Sequence, residues 1–91
     1  MIRQTLCVEN QLGLHARAAA KLVRVASQFS SQIHLSREGV DDRFDAKSIF
    51  GILMLAASQG VRLVVSVDGS DEVEAGEAIR RLFEDKFGEE Y

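Results

Sequence analysis

Val61-Arg62-Leu63-Val64-Val65-Ser66-Val67-Asp68 is the run on which the fold turns. Val61, Leu63, Val65 and Val67 share one side of an extended chain, and Arg62, Val64 and Ser66 share the other. This is the period-two alternation of a strand with one buried face. Gly69-Ser70-Asp71-Glu72 follows as a turn and a helix start, with Ser70 as the expected N-cap and acidic residues at the positive end of the helix. Ala75, Ile79, Leu82 and Phe83 then recur at helical spacing, with Arg80, Arg81 and Lys86 toward the other end. Phe87-Gly88-Glu89-Glu90-Tyr91 is expected to fray as a tail.

Working outward toward the N-terminus, Lys47 to Ala57 reads as a short apolar helix ended by Ser58-Gln59-Gly60. Gly51 inside it costs about 1 kcal/mol relative to Ala, so this helix relies on packing. Val40 to Asp45 reads as a short strand with Val40 and Phe44 on one face. It pairs across the Glu38-Gly39 turn with Gln32 to Arg37, whose Ile33 and Leu35 point inward. Ala16 to Phe29 carries the stripe Ala19, Leu22, Val23 and Ala26, so it reads as an amphipathic helix. Ile2 to Val8 alternates like Val61 to Asp68. The order is β-α-β-β-α-β-α, every strand with one apolar face. The economical packing is α+β: a four-stranded antiparallel sheet with three helices on one side, in a single domain spanning 1–91.

The 91 residues contain no Pro, no Trp and one Cys. One Cys excludes an internal disulfide and a Cys-rich zinc site, so neither a metal nor a cofactor is expected. The net charge of −3 and a pI near 5.3 argue against a nucleic-acid partner. No apolar run is long enough to span a membrane, so no membrane insertion is expected. The first residues, Met1-Ile2-Arg3-Gln4-Thr5, lack a signal-peptide pattern. A cytoplasmic monomer is the default expectation.

Three side chains are candidates for chemistry. Cys7 sits mid-strand with no neighbouring base in the sequence, and reads as an inert strand thiol. His34 alternates with Ile33 and Leu35, and reads as a residue of the polar strand face. His15 differs, because it stands at the N-cap of the first helix, where Ser, Thr, Asp or Asn is preferred. The N–H groups of Ala16 and Arg17 and the helix dipole favour an anion beside its ring. The Arg17 guanidinium can bind phosphate oxygens. A neutral imidazole is a nucleophile, so phosphoryl transfer to a ring nitrogen is chemically sensible here. On residues alone, the alternative is a loop His with an unrelated Arg nearby.

Gly13-Leu14-His15-Ala16-Arg17 resembles the active-site motif of the HPr family, histidine-containing phosphocarriers of the bacterial phosphoenolpyruvate-dependent phosphotransferase system. Ala46-Lys47-Ser48-Ile49-Phe50-Gly51 resembles the family's regulatory-serine segment, and the resemblance covers nearly the whole chain. It implies an open-faced β-sandwich. It implies that His15 accepts a phosphoryl group from Enzyme I on Nδ1 and passes it to an Enzyme IIA domain, making the chain a carrier rather than an enzyme. It further implies that Arg17 steadies the phosphoryl group. Ser48 corresponds to the serine modified in some bacteria by an HPr kinase/phosphorylase. Ala20, Arg24, Ile49, Phe50 and Leu53 correspond to partner-docking residues.

A docking role also has a physical basis: a short helix with six bulky apolar residues cannot bury all of them. Arg17, Lys21, Arg24 and Lys47 are expected to rim that patch and suit an acidic partner. The sequence departs from the family at Ala18, where Pro is common. Ala18 restores an N–H in the first turn, and the phosphohistidine lifetime is expected to change slightly. This departure, with the Asp85-Lys86-Phe87-Gly88-Glu89 tail, leaves open a nitrogen-related paralogue that acts mainly through phosphorylation-dependent protein binding rather than sugar uptake. A small hydrolase such as an acylphosphatase would need a Gly-rich phosphate loop and a positioned Asn. Asn10 is the only Asn, and no such loop is present.

Overall fold

The computed structural model describes residues 1–90. Four strands form one antiparallel sheet: β1 Ile2–Cys7, β2 Gln32–Arg37, β3 Phe44–Asp45 and β4 Arg62–Asp68. The strand order is β1-β4-β2-β3. β4 is therefore interior and pairs on both sides, for example Val65 with Gln4 of β1 and with Leu35 of β2. Its alternation follows from this position: Leu63, Val65 and Val67 are buried, while Arg62, Val64 and Ser66 face away from the core.

Helices α1 Ala16–Ala26, α2 Ile49–Leu55 and α3 Glu72–Glu84 cover the apolar side. The core joins Ile33, Leu35, Leu63, Val65 and Val67 of the sheet to Leu22 of α1, Ile52 and Leu55 of α2, and Ile79 and Phe83 of α3. This is the open-faced α+β sandwich expected from the element order. Gly51 faces the backbone carbonyl of Asp45, which a Cβ would meet at 3.3 Å, so the glycine lets α2 lie against the sheet edge.

Four expectations are corrected. β3 is two residues long rather than six. The Asp42 carboxylate accepts the Arg37 N–H at 3.2 Å, so a side chain takes a donor that a longer hairpin would have used. Val40, expected to share a strand face with Phe44, lies outside β3 and is exposed. Ser70 does not cap α3. Asp71 stands at the cap position, and its carboxylate turns instead to the Ser30 N–H at 2.8 Å, the Ser31 N–H at 3.0 Å and the Ser31 hydroxyl. Finally, the residues after α3 do not fray. Lys86–Gly88 form a tight helical turn with Phe87 fully buried, its ring centroid 5.0 Å from that of Phe83. Tyr91, the end of the expected tail, lies outside the described residues.

The Asp71 tie has a pH signature. The Ser31 hydroxyl foremost, and then the Ser30 N–H, hold its carboxyl down to about 2 from an ordinary 3.8. A carboxyl lowered in the folded state stabilises the fold at pH values above its ordinary pKa. That contribution is lost as pH falls through the folded value. Asp71→Asn is therefore expected to melt below the parent chain at neutral pH, the gap closing as pH drops from about 3.8 toward about 2. Thermal unfolding across that window reads the effect, and a gap that does not change with pH would contradict it.

Candidate functional site

The site is built where the β1–α1 loop meets the end of α2. Asn10 is buried. Its Nδ2 donates to the Gly13 carbonyl at 2.8 Å, and its backbone carbonyl accepts the Gly13 N–H at 3.1 Å. Gly13 is left-handed at φ 66°, and a Cβ there would lie 2.6 Å from the Ala57 carbonyl oxygen, so only glycine fits. Leu14 then donates its N–H to that carbonyl at 2.9 Å. These bonds fix the chain one residue before His15.

His15 occupies the N-cap of α1, as its place in the sequence implied, with extended backbone at φ −73° and ψ 178°. Its Nδ1 accepts the Arg17 backbone N–H at 3.3 Å. An accepting Nδ1 carries a lone pair, so the ring proton sits on Nε2. Nε2 donates to the Glu89 carboxylate at 2.5 Å. The imidazole is 26% exposed, with its lone-pair nitrogen turned toward the helix start. The Arg17 guanidinium reaches the same Glu89 oxygen at 3.3 Å and is itself 66% exposed. The other Glu89 oxygen accepts from Asn10 Nδ2 at 2.8 Å.

Burial pushes the Glu89 carboxyl up, but hydrogen bonds from Asn10, His15 and Arg17 outweigh it and hold it below the ordinary carboxylate value. Glu89 is thus ionised at neutral pH. Arg17, His15, a carboxylate and the first N–H groups of a helix converge on one partly open spot. Chemically this is an imidazole with a free lone pair facing the helix dipole, and behind it a carboxylate that also holds the Arg17 guanidinium.

Sequence reasoning singled out His15 and Arg17 but not Glu89, Asn10 or the ordered tail that the structure brings beside them. The available signal was Phe87, four residues after Phe83, which carries the apolar stripe of α3 one turn further. Three consecutive left-handed residues, Lys86, Phe87 and Gly88 at φ 53°, 56° and 78°, then bend the chain back. Lys21 Nζ donates to the Phe87 carbonyl at 2.6 Å, and the Glu89 N–H donates to the Lys86 carbonyl at 3.0 Å.

The remaining expected residues flank this centre. Ala16 and Arg24 are exposed and Ala20 is half-buried on α1. On α2, Ile52 is buried, Ile49 is half-buried, and Phe50, Leu53 and Met54 are exposed at 77%, 40% and 72%. A small helix thus leaves an apolar patch open. Its rim is less free than expected: Lys21 is bonded to Phe87, Lys47 Nζ donates to the Phe29 carbonyl at 2.7 Å, and Arg17 faces Glu89. Arg24 makes no ion pair among the described residues. Ser48 caps α2, its hydroxyl accepting the Gly51 N–H at 3.3 Å. His34 lies on the opposite sheet face against Arg43, and Cys7 is a half-buried strand thiol. No cluster of metal-ligating side chains occurs among the described residues, and no helix among them is long and apolar enough to cross a membrane.

The family model described as the PTS HPr component phosphorylation site matches residues 2–85. A phosphocarrier protein HPr of Xylella fastidiosa is 49% identical over 90 residues, 99% of each chain. One from Treponema pallidum is 48% identical, over 99% of this chain and 100% of its own. Among solved structures, the crystal structure of HPr-C-His from Thermoanaerobacter tengcongensis is similar with a TM-score of 0.94 and 46% identity. That match covers 100% of both chains.

Proposed function

The chain belongs to the HPr family of phosphotransferase-system phosphocarriers, and from that premise we propose that His15 Nδ1 accepts a phosphoryl group from Enzyme I and yields it to an Enzyme IIA domain. The observation that carries this reading is the His15 ring: its lone-pair nitrogen is Nδ1, and it faces the start of α1. A phosphoryl group entering there displaces one weak N–H contact and gains the Ala16 and Arg17 N–H groups and the dipole of an eleven-residue helix. Arg17, largely exposed and held by Glu89 alone among the described residues, swings onto the phosphoryl oxygens. No proton has to leave the ring, because Nδ1 carries none.

The Phe50, Leu53 and Met54 patch, joined to the His15 loop through the Leu14–Ala57 bond, is the proposed docking face, with Ile49, Ala20 and Arg24 at its border. A carrier docks both of its partners briefly, which suits a small apolar patch beside one nucleophile. Ser48 sits at the head of the same helix. A phosphoryl group on its hydroxyl would bring negative charge to that face, and this is the regulatory role proposed for it. The relatives' shared name, phosphocarrier protein HPr, favours a carrier over a purely regulatory binder.

The test is a relay. With phosphoenolpyruvate and Enzyme I the protein is expected to gain a single acid-labile phosphate, and an added sugar-type Enzyme IIA domain is expected to take it. Label that forms but moves to no IIA domain would overturn the carrier role.

A further inference from the structure

The C-terminal hook holds a carboxylate against the back of the His15 ring, and the fold goes to some length to hold it there. Two non-glycine residues, Lys86 and Phe87, adopt left-handed backbone, which L side chains disfavour. The buried Phe87 ring, the Lys21 bond and the Asn10 bond offset that cost. The product of this arrangement is the 2.5 Å bond from His15 Nε2–H to Glu89.

We infer that Glu89 is a positioning residue for phosphoryl acceptance: it fixes the ring proton on Nε2 and stabilises the positive charge the ring acquires as Nδ1 bonds to phosphorus. The inference rests on the reading of His15 as acceptor. In that step the Nδ1 lone pair forms the N–P bond while the bond from phosphorus to the donor breaks, its electron pair returning to the donor. Nε2 keeps its proton throughout. The ring is then substituted on both nitrogens and carries a positive charge, and the adjacent carboxylate pairs with it directly. An orienting carboxylate behind a reacting imidazole acts in the same way in hydrolytic triads. The Asn10 bond keeps Glu89 in place when Arg17 leaves it for the phosphoryl group.

Glu89→Gln keeps the shape and an amide oxygen that can accept from Nε2–H, but removes the charge. It is expected to be phosphorylated about tenfold more slowly, the low end of what carboxylates behind metal-bound histidines contribute. The proton NMR signal of His15 Hε2 is expected to move upfield from its strongly hydrogen-bonded position. Glu90→Gln removes the same charge one residue on, from an exposed side chain, and is expected to leave rate and signal alone. If the parent chain takes label and Glu89→Gln matches it in rate and signal, the inference is overturned and the acceptor reading stands. A slow Glu89→Gln with an unmoved Hε2 signal also overturns it, since the loss then does not pass through the ring. A parent chain that takes no label overturns the acceptor reading, and the inference with it.

Discussion

His15→Ala is expected to take up no phosphate from phosphoenolpyruvate and Enzyme I, with its fold intact. The ring is one quarter exposed and contributes no core packing, and its backbone role at the head of α1 does not depend on the side chain. Losing the Nδ1 cap costs the helix about 1 kcal/mol, a small part of the roughly 5–15 kcal/mol that holds a domain together. The nucleophile, by contrast, is lost entirely. His34 cannot substitute, because it lies on the far sheet face paired with Arg43 and away from any helix start. Circular dichroism matching the parent chain, with no phosphate in the intact mass, is the expected pair of results. Label retained by His15→Ala would mean that another side chain is the acceptor.

Phe87→Ala is expected to be the most destabilising single change in the tail. The Phe87 ring is fully buried and packs on Phe83 at 5.0 Å, tilted by 58°. Removing a buried Phe costs about 3–5 kcal/mol through lost burial and the cavity left behind. For a domain of this size that corresponds to a fall in melting temperature of roughly 15–25 °C. The loss also frees the hook that carries Glu89, so the His15 Hε2 signal should move as it does in Glu89→Gln. A melting point within about 5 °C of the parent chain would show that the tail contributes little to the fold.

How much of this was legible in the sequence depends on the range of the interaction. β4 announced itself because both edges of an interior strand are paired and one face meets the core while the other does not, and the α1 stripe because one face of a helix meets the sheet. His15 was legible because an N-cap histidine conflicts with ordinary capping preference. The elements that departed from expectation are those decided by single side-chain bonds. Asp42 bonding to Arg37 cut β3 short, and Asp71 reaching Ser30 and Ser31 moved the cap of α3. Glu89 was the hardest to see. Its partners Asn10, His15 and Arg17 are more than seventy residues away in sequence, and the three left-handed residues that deliver it have no periodic signature. Only Phe87, in phase with Phe83, hinted that the chain had not yet left the core.

The central claim is that phosphorus bonds to one atom, Nδ1 of His15, at the head of α1. Phosphorus-31 NMR of the protein phosphorylated by phosphoenolpyruvate and Enzyme I, with nitrogen-15 in the histidine rings, tests it most directly. The account predicts a single phosphorus resonance coupled to Nδ1 of His15, with the Nε2 proton still present. Phosphorus on Nε2, or on any residue other than His15, would contradict it.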